Sequence, residues 1–168
     1  MNKEIKKLIH AFRNALVMAA DTHSHACFDM PRWDELNTFP HGSCDLASNF
    51  LAKYLYEHGY ESTVICLNID NDPEINEHIH GHVFLQIGEH YVDITRNQFE
   101  DSNARIVIEK NNDSLAKLIK AANKAKNKGA SYYEERNINL DNFVESGADL
   151  YYYVKKLANK LINDSTSE

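Results

Sequence analysis

Cysteine, proline, tryptophan and clustered positive charge are all scarce in this chain. Three cysteines occur in 168 residues, an odd number whose spacings fit neither a complete disulfide framework nor a zinc template. Cys27, Cys44 and Cys66 therefore read as free thiols, which favours a reducing compartment. Three prolines and six glycines exclude collagen-like and low-complexity architectures. Lys and Arg total 18 against 25 Asp and Glu, a formal net charge of -7. That balance argues against a nucleic-acid partner, because binding a phosphate backbone needs clustered cations. The basic residues are not gathered: Lys3, Lys6 and Lys7 lie at one end, and the group from Lys117 to Lys128 reads as a solvated helix face. Long apolar runs are missing as well, so no membrane span and no membrane partner are expected. Ala15 to Ala20 is apolar, but His10, Arg13 and Asn14 precede it closely. This end reads as helix, with a signal peptide as the alternative. The expected location is the cytoplasm, with export as an effector the alternative.

At 43% hydrophobic and 26% charged residues, the composition is that of a globular domain large enough to bury a core. One domain over residues 1–162 is expected, with a disordered tail over 163–168. Ile5, Leu8, Ile9, Phe12, Ala15, Leu16 and Ala19 recur at helical spacing and predict a helix over residues 3–20. A long connector runs from Asp21 to about Gly42, and connectors of that length are often functional. Leu46, Ala47, Phe50, Leu51, Tyr54 and Leu55 predict a helix from Cys44 to His58, with Ser43 as its cap and Gly59 as its terminator. Strands are predicted over Ser62–Ile69, His82–Ile87 and His90–Thr95, with a further one over Ala104–Glu109. Cys66, within Val64-Ile65-Cys66-Leu67, reads as a small buried hydrophobe. Helices are predicted over Ser114–Lys128 and Leu140–Ile162, the latter with an interruption at Gly147.

Gly88-Glu89 joins two of these strands, and glycine supplies the positive φ of a two-residue hairpin turn. Pairing Ile87 with His90 sets Phe84 opposite Asp93 and His82 opposite Thr95. One face then carries Val83, Leu85, Ile87, His90, Val92 and Ile94. The other carries His82, Phe84, Gln86, Tyr91, Asp93 and Thr95, and a slip of one residue would mix the two sets. His82 and Asp93 become diagonal neighbours about 7–8 Å apart at the backbone, within reach of a His–carboxylate hydrogen bond.

Cys44 opens its helix, where unsatisfied backbone N–H groups and the helix dipole favour negative charge. A thiol reacts as thiolate, which a helix N-terminus and a paired imidazole both favour. Cys44, His82 and Asp93 thus read as nucleophile, general base and orienting carboxylate. Asp45, next to the thiol, opposes a thiolate unless its side chain turns away. The backbone N–H of Cys44 is the first candidate oxyanion donor, and Asn37, Trp33 and His41 are candidates for the second. The competing reading is a metal site on His78, His80 and His82, which alternate along the chain and could share one strand face. A binding module without turnover is the other rival.

Phe39-Pro40-His41-Gly42-Ser43-Cys44-Asp45-Leu46-Ala47-Ser48, then Gly81-His82-Val83-Phe84, then Tyr91-Val92-Asp93-Ile94-Thr95-x-x-Gln98-Phe99, resembles the transglutaminase-like group of papain-fold thiol enzymes. The resemblance covers residues 39–99. It departs at Asp45 and Phe84, where many members carry Trp. It implies an α+β fold, with the nucleophile helix packed on an antiparallel sheet and flanking helices around it. It also implies a Cys44–His82–Asp93 triad that needs no cofactor and no metal. The implied activity is that of a cysteine-dependent hydrolase or acyl transferase (peptidase, amidase or deamidase) acting on a peptide, a protein or a small amide.

Overall fold

The computed structural model describes residues 1–21, 25–68, 79, 81–110, 113–125, 132–137 and 147–165. Five helices and five strands are formed by these residues: α1 (Lys3–Ala20), α2 (Trp33–Asn37), α3 (Cys44–Glu57), β1 (Thr63–Asn68), β2 (Gly81–Ile87), β3 (His90–Asp93), β4 (Val107–Lys110), α4 (Ser114–Ala125), β5 (Tyr132–Arg136) and α5 (Ala148–Asp164). The strands build one antiparallel sheet in the order β4-β3-β2-β1-β5. The class is α+β.

β1 lies inside the sheet and is apolar on both faces, as a doubly covered strand must be. Its Val64 and Cys66 join the larger core with Phe12, Leu16, Phe50, Leu51 and Tyr151, formed by α1, α3 and α5. Its Ile65 and Leu67 turn the other way, to Phe84 and to Leu115, Leu118, Ile119 and Ala122 of α4. Phe12 stacks on Tyr54 with ring centroids 4.7 Å apart, which ties α1 to α3. Burying side chains of this size contributes about 1.5–3 kcal/mol each.

The hairpin takes the expected register at its turn: Ile87 pairs with His90, Gln86 with Tyr91 and Leu85 with Val92. Gly88 has φ 56° and Glu89 does not share the left-handed region, the pattern of a II′ turn. Beyond Val92 the expectation fails. β3 ends at Asp93, two residues short of Thr95, because Asp93 Oδ1 accepts hydrogen bonds from Thr95 N at 2.8 Å and Thr95 Oγ1 at 3.1 Å. That Asx turn draws the chain out of the ladder. On the face that carries His82, the residues His82, Phe84, Asp93 and Thr95 are all buried, whereas Gln86 and Tyr91 are half-buried.

Other differences have local causes. β5 is absent from the sequence reading because Tyr132-Tyr133-Glu134-Glu135-Arg136 does not alternate, yet it pairs with β1 along the sheet edge. The short α2 interrupts the predicted connector. Asn163 and Asp164 belong to α5 rather than to a loose tail. Residues 138–146, where the predicted last helix begins, lie outside the described residues.

Arg13 of α1 ties the helical layer to the end of the hairpin. Its Nε donates to the carbonyls of Ile94 (3.0 Å) and Arg105 (2.7 Å), and an Nη donates to Asn97 Oδ1 at 3.1 Å. Its guanidinium lies 5.2 Å from the Phe39 ring centroid. Burial, then the charge of Arg105, pulls this guanidinium down to about 10, with Asp93 acting in the opposite direction. Arg13→Met strands buried carbonyls and is expected to cost about 3 kcal/mol, each unpaired buried group costing about 1–3. Urea denaturation of the two proteins measures this, and a difference below about 0.5 kcal/mol would remove Arg13 from this role.

Candidate active site

The segment leading into α3 is held by its own side chains. Thr38 Oγ1 donates to the His41 carbonyl at 2.8 Å, and Ser43 Oγ donates to the Pro40 carbonyl at 3.0 Å. Ser43 occupies the cap position but makes no side-chain capping bond, because its hydroxyl is turned back to Pro40. Gly42 has φ 70°, a left-handed conformation that glycine adopts without strain. Cys44 follows as the first residue of α3 and is half-buried, whereas Cys27 and Cys66 are buried. Further along α3, Ser48 Oγ donates to the Val83 carbonyl at 3.0 Å, fixing the helix against β2.

Asp45 does turn away. Its carboxylate accepts from Asn49 Nδ2 at 3.2 Å and pairs with Arg32 at 3.5 Å. Arg32 has φ 67° and is braced by two 2.7 Å hydrogen bonds to Glu35.

His82 Nε2 lies 2.6 Å from Asp93 Oδ2, with both side chains fully out of solvent. Burial opposes the imidazolium and is the largest single influence on it. Asp93, by charge and hydrogen bond, and then Cys44, through a side-chain hydrogen bond and its charge, outweigh that and raise the imidazole to about 9. Since Nε2 is held by Asp93, Nδ1 is the nitrogen left to work. Gln98 Nε2 stands 3.4 Å from it and also donates to Thr95 Oγ1 at 3.1 Å. The rings of Phe99 and Phe84 enclose the imidazole at centroid distances of 4.9 and 5.6 Å.

The structure pairs His82 with Asp93, and Cys44 is a side-chain hydrogen-bonding neighbour of the same imidazole. Trp33 is not available as an oxyanion donor: it is buried, and its indole N–H, the one donor it has, bonds the Ala19 carbonyl at 3.3 Å. Asn37 and His41 are both exposed, Asn37 at the end of α2 and His41 in the turn before Cys44. Gln98 stands in the motif that carries the resemblance but has no role assigned from the sequence, although the Asp93-x-Thr95-x-x-Gln98 spacing places all three on one tight turn. Asp101 pairs with the buried Arg96 at 2.6 Å. Among the described residues no three His, Cys, Asp or Glu side chains gather as metal ligands. His78 and His80 lie outside those residues.

An imidazole wedged between a carboxylate and a thiol can take a proton from the thiol and return it to a leaving group. The Asx turn holds Oδ1 of Asp93 and leaves Oδ2 to His82.

Comparison with known proteins adds sequence relatives without an assigned activity. Two proteins of Escherichia coli, one from strain K12 and one from strain UTI89 / UPEC, are each 33% identical to the chain over 111 residues. Both are named Uncharacterized protein YuaU, and the match covers 65% of this chain and 48% of theirs. The chain thus spans about half the length of the curated relatives it matches. No family model and no solved structure matches it. No helix among the described residues is long and apolar enough to cross a membrane.

The buried pair makes stability depend on pH. The imidazole titrates at about 9 in the folded protein against 6.5 in its ordinary state, so folding takes up a proton. Its stabilisation, on the order of 3 kcal/mol, is complete below about pH 6.5 and is lost as pH rises through 9. Thermal unfolding is expected to move to lower temperature across that window, with a flatter dependence in His82→Gln. Equal slopes in the two proteins would mean that His82 is not the titrating group.

Proposed function

We propose that this chain is a thiol enzyme of the transglutaminase-like, papain-fold kind, in which Cys44 attacks an amide or acyl carbonyl carbon. One observation carries the reading: the buried His82–Asp93 pair, linked by 2.6 Å, shares its imidazole with a half-buried cysteine at the start of a helix. A buried ion pair costs desolvation that packing alone does not require. Placed against a thiol, it has a chemical use.

The steps follow from the groups. His82 accepts the thiol proton at Nδ1, and the Cys44 sulfur bonds to the carbonyl carbon. The backbone N–H of Cys44 faces the developing oxyanion, as the first donor of a hole whose second donor could be Asn37 or His41. His82 then gives its proton to the leaving nitrogen as the C–N bond breaks, and a thioester remains. Water or an amine attacks the thioester, passes a proton to His82, and sulfur leaves as thiolate. Peptidase, amidase, deamidase and acyltransferase reactions share these steps and differ in the leaving and accepting groups. A peptide, a protein side chain or a small amide fits the scheme.

Iodoacetamide at neutral pH, with mapping of the labelled peptides, tests the reading. Cys44 is expected to react first. The Cys66 thiol, pushed up to about 11 by burial above all, and Cys27, whose thiol donates to the Ala19 carbonyl at 3.3 Å, should lag. His82→Gln should abolish the preference for Cys44, and Asp93→Asn should reduce it, with the exposed Asp164→Asn as the control. On a turned-over substrate, losing an orienting carboxylate is expected to cost up to about 10⁴ in rate. Labelling of all three cysteines at one rate would sink the proposal.

A further inference from the structure

The imidazole is held in a closed circuit of hydrogen bonds, and one member of it, Gln98, stands beside Nδ1. From Asp93 Oδ2 the circuit runs 2.6 Å to His82 Nε2, crosses the ring to Nδ1, and reaches Gln98 Nε2 at 3.4 Å. Gln98 then donates 3.1 Å to Thr95 Oγ1, whose hydroxyl donates 3.1 Å back to Asp93 Oδ1. Asp93 and Thr95 are buried, whereas Gln98 is only half-buried. The amide nitrogen of Gln98 is anchored by Thr95, and its carbonyl, Oε1, has no hydrogen-bond partner among the described residues.

We propose that Gln98 is a further catalytic residue of this site, its side-chain carbonyl receiving the N–H or O–H of the group that enters or leaves at the acyl carbon. The inference rests on the thiol-enzyme reading of Cys44 and His82. An attacking water or amine must send one proton toward His82 Nδ1 while its lone pair points at the thioester carbon. A second acceptor beside Nδ1, engaging another of its protons, fixes that orientation, and Gln98 Oε1 belongs to the amide group next to Nδ1. The Gln98–Nδ1 contact, at 3.4 Å, is at the long end of hydrogen bonding and yields Nδ1 to the nucleophile. In the balanced step, water oxygen bonds to the acyl carbon, its proton goes to Nδ1, the C–S bond breaks, and Cys44 thiolate is released with a carboxylic acid. With an amine the product is an amide.

p-Nitrophenyl acetate separates the two halves of this chemistry, because release of nitrophenolate in a burst reports acylation and the steady rate that follows reports deacylation. The wild-type chain is expected to give a burst that Cys44→Ala removes. Gln98→Leu, which keeps bulk without an acceptor, should retain the burst and slow the steady rate about tenfold, the loss of one positioning hydrogen bond in the transition state. Gln98→Glu keeps an acceptor oxygen but sets a negative charge beside Nδ1. It should move the pH midpoint of deacylation upward, because the neutral imidazole needed as base then forms at higher pH. An unchanged steady rate in Gln98→Leu, or burst and steady rate falling together, would overturn the assignment. A wild-type chain without any Cys44-dependent burst would instead remove the thiol-enzyme reading, and this inference with it.

Discussion

The hydrogen bond between His82 and Asp93 is the constraint around which this end of the molecule is arranged. Two charged groups withdrawn from water are tolerable only when each answers the other and their remaining polar atoms are satisfied. Asp93 meets that requirement through the backbone and hydroxyl of Thr95, which turns the chain out of β3 and begins the short helical turn carrying Gln98. The same turn brings Phe99 edge-on to the imidazole. Thus one local motif ends a strand, orients a carboxylate and encloses a ring.

Around that pair, the fold supplies two anchors from distant parts of the chain. α3 carries Cys44 at its first residue and is pinned to β2 through the Ser48 hydroxyl. α1 contributes Arg13, whose bonds to Ile94, Asn97 and Arg105 hold the segment following Asp93. A helix N-terminus and a strand end that lie 38 residues apart between Cys44 and His82 are brought to one place by the packing of α3 on the sheet. Asp45 is compatible with this arrangement because Arg32 and Asn49 take up its carboxylate. The adjacent negative charge is turned aside rather than left against the sulfur.

Much of this was legible in the sequence, for reasons that can be named. The α1 residues Ile5, Leu8, Ile9, Phe12, Ala15, Leu16 and Ala19 repeat with helical period and are all buried, since a one-sided apolar stripe has only one way to leave water. The pairing of Ile87 with His90 was readable because Gly88 is suited to the turn and a slip would have exposed Leu85 and Val92. β5 was not readable: Tyr132 to Arg136 owes its strand conformation to the open edge of β1, not to its own pattern. The burial of the hairpin's second face was hidden too, because α4, which covers it, follows in sequence only after β4.

By itself, then, the sequence determined the α1 and α3 helices, the turn-proximal register and the three residue types that could share a site, because periodicity, turn chemistry and residue identity act over short spans of chain. Only the tertiary structure decided that His82 and Asp93 meet in the dark rather than in solvent. It also assigned the Trp33 indole N–H to Ala19 rather than to a substrate, and placed Gln98 beside Nδ1. Each of those outcomes depends on which atoms from remote segments arrive at the same few ångströms, and burial, dielectric and hydrogen-bond partners exist only once they have arrived.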